Sequence, residues 1–429
     1  MNWFGNAPHR GRARALACLA AAALVSLSPL SAQAQEPVKL NFWDMIWGPP
    51  EYIDSAKDLV AQFNKEHPDI QVEYRSVPWN NWYQTFVTAI SSGTAPDLST
   101  GAGYQAVQLY DQGAIRPIDD VVEELKKDGE LADFMPNTVD TLRYDDHYVA
   151  LPWGIDIRVW FYRKDLLEQA GVKVPTTWDE LRAAAKATTK DGRYGVVGSG
   201  DTGGSHFLYN ALLNNGGGLF TADRKLDFKN ERNVEAFEAL AGMVADGSVS
   251  PASTGYNSDD RRAAFNRGQA AFTLDGPGLI AQAGEQAANI GVVPPLAGMH
   301  GDKGTIFWVN NIMVYEQTKH PEQTKTFLKW WSKNQLPLWT KGNSGQLPTR
   351  SSIAADDYFK KDAARAYVLE HYVPVGKTTA TNAAGIFPAL NDLEGEGAMQ
   401  AFAQELWQGK PVGPIVDTAE ARLKSVLKE

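Results

Sequence analysis

The chain has 429 residues, 43% of them apolar, which is ample for two domains at about 100–200 residues each. Its 41 Lys and Arg against 51 Asp and Glu leave a net charge of −10, which disfavours nucleic acid or an anionic membrane surface as a partner. The single cysteine, Cys18, lies in a predicted leader, so disulfides, cysteine metal sites and cysteine nucleophiles are excluded from the mature protein.

The leader, residues 1–34, has the parts of a secretory signal peptide. Arg10, Arg12 and Arg14 precede an apolar run from Ala15 to Leu27, and Ala32-Gln33-Ala34 forms an A-x-A cleavage site. The run is about a dozen residues, too short to span a bilayer, and no later segment reaches the ~20 apolar residues a span needs. Ala15-Leu16-Ala17 lacks the leucine expected three positions before a lipidated cysteine. Cleavage leaves Gln35 first and lowers the net charge to −13 by removing the three arginines.

Beyond the leader the pattern predicts strand, helix, strand, helix, strand. Val38, Leu40 and Phe42 alternate with polar residues; Ile53, Ala56, Val60 and Phe63 recur at helical spacing; Ile70, Val72 and Tyr74 alternate again. A second helix is expected over about 81–92, with Asn80 as N-cap and Gly93 as its stop, followed by a strand at Asp97-Leu98-Ser99. Such alternation builds a parallel sheet, and right-handed crossovers bring the three strand ends to one edge, where open α/β sheets bind ligands. The exit loops there are WDMIWG (43–48), VPWNNW (77–82) and TGAGYQ (100–105), rich in aromatic and small polar residues. Further along, Thr177-Trp178-Asp179-Glu180 is a capping-box signature for a helix of about 178–189, and RYGVVG (193–198) reads as a strand. Val234, Phe237, Leu240, Ala241 and Val244 form a helical stripe closed by Gly247, and Pro321 opens a helix whose Phe327, Leu328 and Trp331 face the core.

GSGDTG (198–203) matches G-x-G-x-x-G after a strand, but Gly204-Ser205 extend the predicted loop, so a ligand-side loop is expected in place of a dinucleotide site. The histidines beyond the leader, at 67, 147, 206, 300, 320 and 371, have no zinc-site spacing, and no metal or cofactor is expected. No G-x-S-x-G elbow is present. Asp44, Asp156, Asp201, Asp275 and Glu394 are all conceivable members of a glycosidase carboxylate pair, and spacing selects no two of them.

Five stretches in chain order carry a family resemblance: SSGTAPDL (91–98), LPWGIDIRVWFYRKDLLEQAGVKVPTTWDEL (151–181), NNGGGLF (214–220), FNRGQAAFTLDGPG (265–278) and GQLPTRSS (345–352). They resemble the family 1 extracellular solute-binding proteins of carbohydrate ABC importers, the maltose-binding-like group. The resemblance implies an α/β, two-lobed periplasmic binding protein type II fold, each lobe a mostly parallel sheet flanked by helices, joined by a hinge. It implies an N-terminal lobe of residues 35–154 and 309–350 and a C-terminal lobe of 155–308 and 351–429.

It also implies a ligand site between the lobes. Asp156 matches the hinge position whose carboxylate accepts hydrogen bonds from sugar hydroxyls, and Arg158 orients it or donates to the ligand; a hinge salt bridge with no ligand contact is the alternative. Trp43, Asp44, Trp47, Trp79, Tyr104, Gln105, Trp153, Trp308, Asn310 and Asn311 occupy family loops that enter the cleft, as do His206, Asp275, Gly276 and Arg350. Indoles suit the apolar face of a pyranose and polar groups its hydroxylated edge. Trp308 stands where many relatives have small residues, Gly101 where maltose-binding relatives are often aromatic, and Asn391 and Glu394 follow Phe387 without the family's occasional tryptophan. The expected protein is a monomeric, non-catalytic periplasmic receptor for a sugar or short oligosaccharide, with an ABC importer permease as partner. The alternatives are a secreted glycoside hydrolase and a same-fold receptor for a polyol or phosphodiester.

Overall fold

The computed structural model describes residues 36–383 and 385–428; the expected signal peptide lies outside them. Strand β1 (Val38–Met45) buries Leu40 and Phe42 between exposed Lys39 and Asn41, and its last four residues are all buried. It pairs in parallel with β2 (Ile70–Val77) and β3 (Leu98–Gly101), reached through helices Pro50–Glu66 and Trp82–Ser91. The second helix starts one residue later than predicted. Asn81, at φ 59°, sets its entry in the left-handed region without a side-chain cap, so Asn80 is not the cap.

A small hairpin, β4 (Arg143–Tyr144) with β5 (His147–Tyr148), turns through Asp145 and Asp146, both at positive φ. Next come β6 (Leu151–Ile157) and β7 (Val159–Arg163), separated only by Arg158. β6 belongs to the first sheet and β7 to a second one, which also holds β8 (Tyr194–Val196), β9 (Ala270–Asp275) and β10 (Ile290–Val292) in the order β10-β7-β9-β8. The chain returns to the first sheet with β11 (Thr305–Val314), which pairs antiparallel with both β6 and β3. β12 (Leu347–Pro348) adds to β6, giving the order β12-β6-β11-β3-β1-β2, and β13 (Gly376–Lys377) adds to the start of β11. Helices from Ser351 to Leu427 then finish the chain.

The α/β, two-sheet architecture is as expected, but the pairing is more mixed than mostly parallel. In the second sheet only β8–β9 is parallel, and β3–β11–β6–β12 is antiparallel throughout. Strands that carry the chain back from one sheet to the other need no crossover helix, and antiparallel pairing follows from that return.

Two helix starts show how local sequence sets the frame. Thr177 Oγ1 accepts from Glu180 N at 3.2 Å and Glu180 reaches back to Thr176 N at 2.7 Å, so the helix Trp178–Thr188 begins where the capping signature placed it. The glycine-rich stretch corrects the expectation of an extended loop, because the helix Thr202–Asn214 opens directly after Asp201. Asp201 accepts from Gly203 N at 2.9 Å and from Ser258 N at 2.7 Å, so its own carboxylate occupies the helix N-terminus where a phosphate would sit. A Cβ on Gly200 or Gly204 would collide with the Thr254 or Ser199 carbonyl, so these glycines permit close backbone packing.

Candidate functional site

The stretch that links the two sheets carries the most concentrated group of polar side chains. Arg158, between β6 and β7, pairs through Nη1 with Asp156 Oδ1, and both side chains keep some exposure, 13% and 16%. Its Nε donates to His206 Nδ1 at 2.8 Å. That bond makes Nδ1 an acceptor and leaves Nε2–H as the ring's donor. Burial, then the nearby Arg158, holds the imidazole far below its ordinary range, so it is neutral. Directly opposite Asp156 in the β6–β11 register stands Trp308, whose ring lies 5.0 Å from the Arg158 guanidinium carbon and 5.0 Å from the His206 ring. Trp308 Nε1 in turn donates to Glu394 Oε1 at 2.9 Å.

Behind this group the charges are matched. Gly276, the residue after β9, leaves room for Asp156 and Arg158, at 3.6 and 3.7 Å from the Cβ it lacks. Asp275 is buried and bound by Arg262 Nε at 2.8 Å and Arg261 Nη2 at 3.0 Å. Burial works against its charge, but the two guanidinium groups override it and hold the carboxyl well below the usual range. Glu394 is the opposite case. Removal from water pushes its carboxyl up to about 8, against the pull of the Trp308 N–H and Arg158, and Asp156 adds to the rise.

Two further groups flank the first. An indole wall runs from exposed Trp79 to Trp47 and on to fully buried Trp153, with ring centroids 4.9 and 5.1 Å apart. At the turn after β3, Asn311 Nδ2 donates to Ala102 O at 2.8 Å and Gln105 Oε1 accepts from Ala102 N at 3.2 Å. Gln105 Nε2 and Asn311 Oδ1 at this turn, and Trp153 Nε1 in the indole wall, are buried with no partner among the described residues. Tyr104 OH accepts from Thr379 N at 3.0 Å, and Asn310 Nδ2 donates to Gln346 Oε1 at 3.0 Å.

Three expected ligand residues are committed to partners within the fold. Trp43 packs on Phe86 with the Arg75 guanidinium 4.2 Å from its ring. Asp44 is fully buried beneath Trp47, its oxygens taken by Thr100 Oγ1 at 2.7 Å, Tyr52 OH at 3.0 Å and Tyr74 OH at 3.2 Å. Burial pushes that carboxyl up to about 7 against the three hydroxyl donors. Arg350 points to Asp133 at 3.1 Å and Ser332 at 3.2 Å and rests on Phe134, a packing role. Sequence reasoning in turn missed Arg261, Arg262 and Tyr209. The arginines' only sequence signal is the tandem pair after Asp259-Asp260, and Tyr209 has none, because it reads as one more buried aromatic in the Phe207–Leu213 run of its helix. Among the described residues there is no cluster of three or more potential metal ligands and no helix long and apolar enough to cross a membrane.

The sequence profile of the family described as bacterial extracellular solute-binding protein matches residues 49–336. A sugar transporter from Arthrobacter chlorophenolicus A6, solved with bound laminaribiose, is 37% identical, covers 91% of this chain and 100% of its own, and superposes with a TM-score of 0.86. A protein of Brucella abortus named as a binding protein is 28% identical over 87% of this chain and 90% of its own. The sn-glycerol-3-phosphate-binding periplasmic protein UgpB of Brucella melitensis is 25% identical over 86% of this chain and 89% of its own. With two sheets joined by strand crossings and a profile match over most of its length, the chain belongs to the bacterial extracellular solute-binding protein family.

Proposed function

We propose that this family member is an exported periplasmic receptor that closes two lobes on a neutral sugar or short oligosaccharide and hands it, chemically intact, to an ABC importer permease. The lobes are residues 35–154 with 309–350 and residues 155–308 with 351–429. The observation that carries the reading is the meeting of Asp156, Arg158, His206 and Trp308 where β6 and β11 leave the first sheet. That group combines an acceptor-only carboxylate, a guanidinium, a neutral imidazole N–H and an indole, which are the contacts a polyhydroxylated ring uses. The likeness to a laminaribiose-bound transporter at 37% identity supports the same ligand class. The buried, unpartnered polar atoms of Gln105, Asn311 and Trp153 support it too, since ligand hydroxyls or waters would satisfy them.

A phosphorylated ligand, suggested by the glycerol-phosphate relatives, fits less well. A phosphate would need uncommitted guanidinium groups, whereas Arg158 is paired with Asp156, and Arg261 and Arg262 with Asp275. Titration calorimetry against a panel holding laminaribiose, maltose and glycerol 3-phosphate tests the reading. A neutral sugar is expected to bind, and Asp156→Asn to weaken it at least about tenfold, the scale of one lost charged hydrogen bond. Tight binding of glycerol 3-phosphate alone, or sugar affinity indifferent to Asp156→Asn, would overturn it. Product release from labelled oligosaccharides would point instead to a hydrolase.

A further inference from the structure

Glu394 is unusual among the carboxyl groups near the strand crossing because no cation is paired with it. It lies in the short helix Ala389–Gly395, and its Oε1 accepts the Trp308 indole N–H at 2.9 Å. Among the described residues Oε2 has no hydrogen-bond partner, and the residue is mostly buried with some exposure. Trp308 itself is fixed. A Cβ on Gly103 would stand 2.8 Å from its ring, so that glycine lets the backbone close over the indole, while His206 and Arg158 also pack against the ring. The indole therefore sets where Glu394 lies relative to Asp156, which stands opposite Trp308 in the strand register.

Charged and polar groups act on Glu394 from several elements. These are Arg158 and Asp156 from the crossing strand, Tyr209 from the helix Thr202–Asn214, Tyr104 before the helix Gln105–Asp111, and Trp308, against whose ring His206 also packs. Tyr209 OH, which feels the Glu394 charge, is buried without a partner among the described residues, and so is Oγ1 of Thr379, whose backbone N–H is bound to Tyr104. A polar lining left open around a carboxyl is what a hydroxyl-bearing ligand would fill.

We propose that Glu394 is a specificity-determining residue of the sugar site, presenting a carboxylic-acid O–H to a ligand oxygen while Asp156 presents an acceptor-only carboxylate to a neighbouring hydroxyl. The inference rests on the receptor reading above and adds a donor to it. A carboxylic acid kept neutral in low-polarity surroundings donates a hydrogen bond that its anion lacks. The elevated position of this carboxyl, about 8, agrees with the neutral form at neutral pH. A donor and an acceptor side by side select vicinal hydroxyls, and the site would reject an anionic oxygen next to Asp156.

The test uses laminaribiose with the full mature chain. Wild-type affinity is expected to hold at about pH 6.5 and to fall at least about tenfold by about pH 9.5, as Glu394 loses its proton. Glu394→Ala should bind about tenfold more weakly at the lower pH, and Glu394→Gln, which keeps a donor and an acceptor, should recover most of that loss and flatten the pH profile. Infrared difference spectra of wild type against Glu394→Gln should show the carbonyl band of an un-ionised carboxyl at the lower pH and lose it at the higher. A flat wild-type profile, an unchanged slope in Glu394→Gln, or no such band overturns the inference alone. Failure of the wild type to bind any neutral sugar at any pH overturns the receptor reading, and this inference with it.

Discussion

Asp44 shows how one residue can serve the fold where its position suggested a ligand. At the end of β1 it looked like a cleft carboxylate, yet Thr100, Tyr52 and Tyr74 close around it, and Thr100 Oγ1 also receives Met45 N at 2.9 Å and Trp47 Nε1 at 3.1 Å. Thr100 thus ties the carboxyl to Trp47, the middle ring of the indole wall. Its folded-state position near 7 lies above the ordinary carboxylate value, so the stability it contributes is fully present below the unfolded value and is lost as pH rises through about 7. Asp44→Asn removes that titration. Relative to wild type, the variant should therefore gain up to about 4 kcal/mol of unfolding free energy between about pH 4 and pH 8, whatever its offset at low pH. Parallel denaturant-unfolding profiles for the two proteins across that range would show that Asp44 ionises at the same pH in the folded and unfolded chains, and would overturn this role. The sequence could not reveal this role, because Tyr52 and Tyr74 arrive from the next helix and the next strand. Asp156 and Arg158 were legible for the converse reason: two charges inside an apolar strand run stand out against their immediate neighbours.

At the scale of elements, periodicity and capping residues located the helices Trp82–Ser91 and Trp178–Thr188 to within a residue, since both signals act over one or two turns. The partners in the second sheet were not legible. β7 lies between β9 and β10, which are more than a hundred residues away in sequence, and nothing in its own alternation says which direction they run. The stretch Gly198–Gly204 folds into a helix start where a loop was expected, for a related reason: Gly200 and Gly204 answer to the carbonyls of Thr254 and Ser199, and Asp201 to Ser258 on another helix. Asp201→Ala should therefore act as a loss of structure, costing about 1–2 kcal/mol through the helix cap and its tie to the helix Ser258–Asn266. Urea unfolding measures it, with the m-value unchanged. If instead Asp201→Ala left the midpoint unaltered but reduced sugar affinity, the loop would belong to the ligand after all.

For the whole molecule, function under the proposed reading depends on a balance between open and closed arrangements, and a ligand shifts that balance only by touching both lobes. The present arrangement already has contacts across the proposed lobe boundary that involve no ligand. Tyr83 OH donates to Asp392 Oδ1 at 2.6 Å, Gln108 Nε2 donates to the same oxygen, and Asn391 Nδ2 donates to Gln108 Oε1 at 2.6 Å. Across the other side, Gln282 Nε2 donates to Asn343 O at 3.1 Å. Each is worth about 0.5–1.5 kcal/mol net, so the set is of the size that decides which arrangement prevails before ligand arrives. Tyr83→Phe combined with Gln108→Ala removes one side of this latch and leaves the ligand group at the strand crossing intact. The double variant should bind sugar about five- to thirtyfold more weakly, because the ligand must then supply the lost closing energy. Its ligand-free radius of gyration in X-ray scattering should exceed that of the wild type, and saturating sugar should bring the two together. Equal ligand-free radii with equal affinities would mean that the latch contributes nothing to closure, and the balance would then have to be sought in the strand crossing itself.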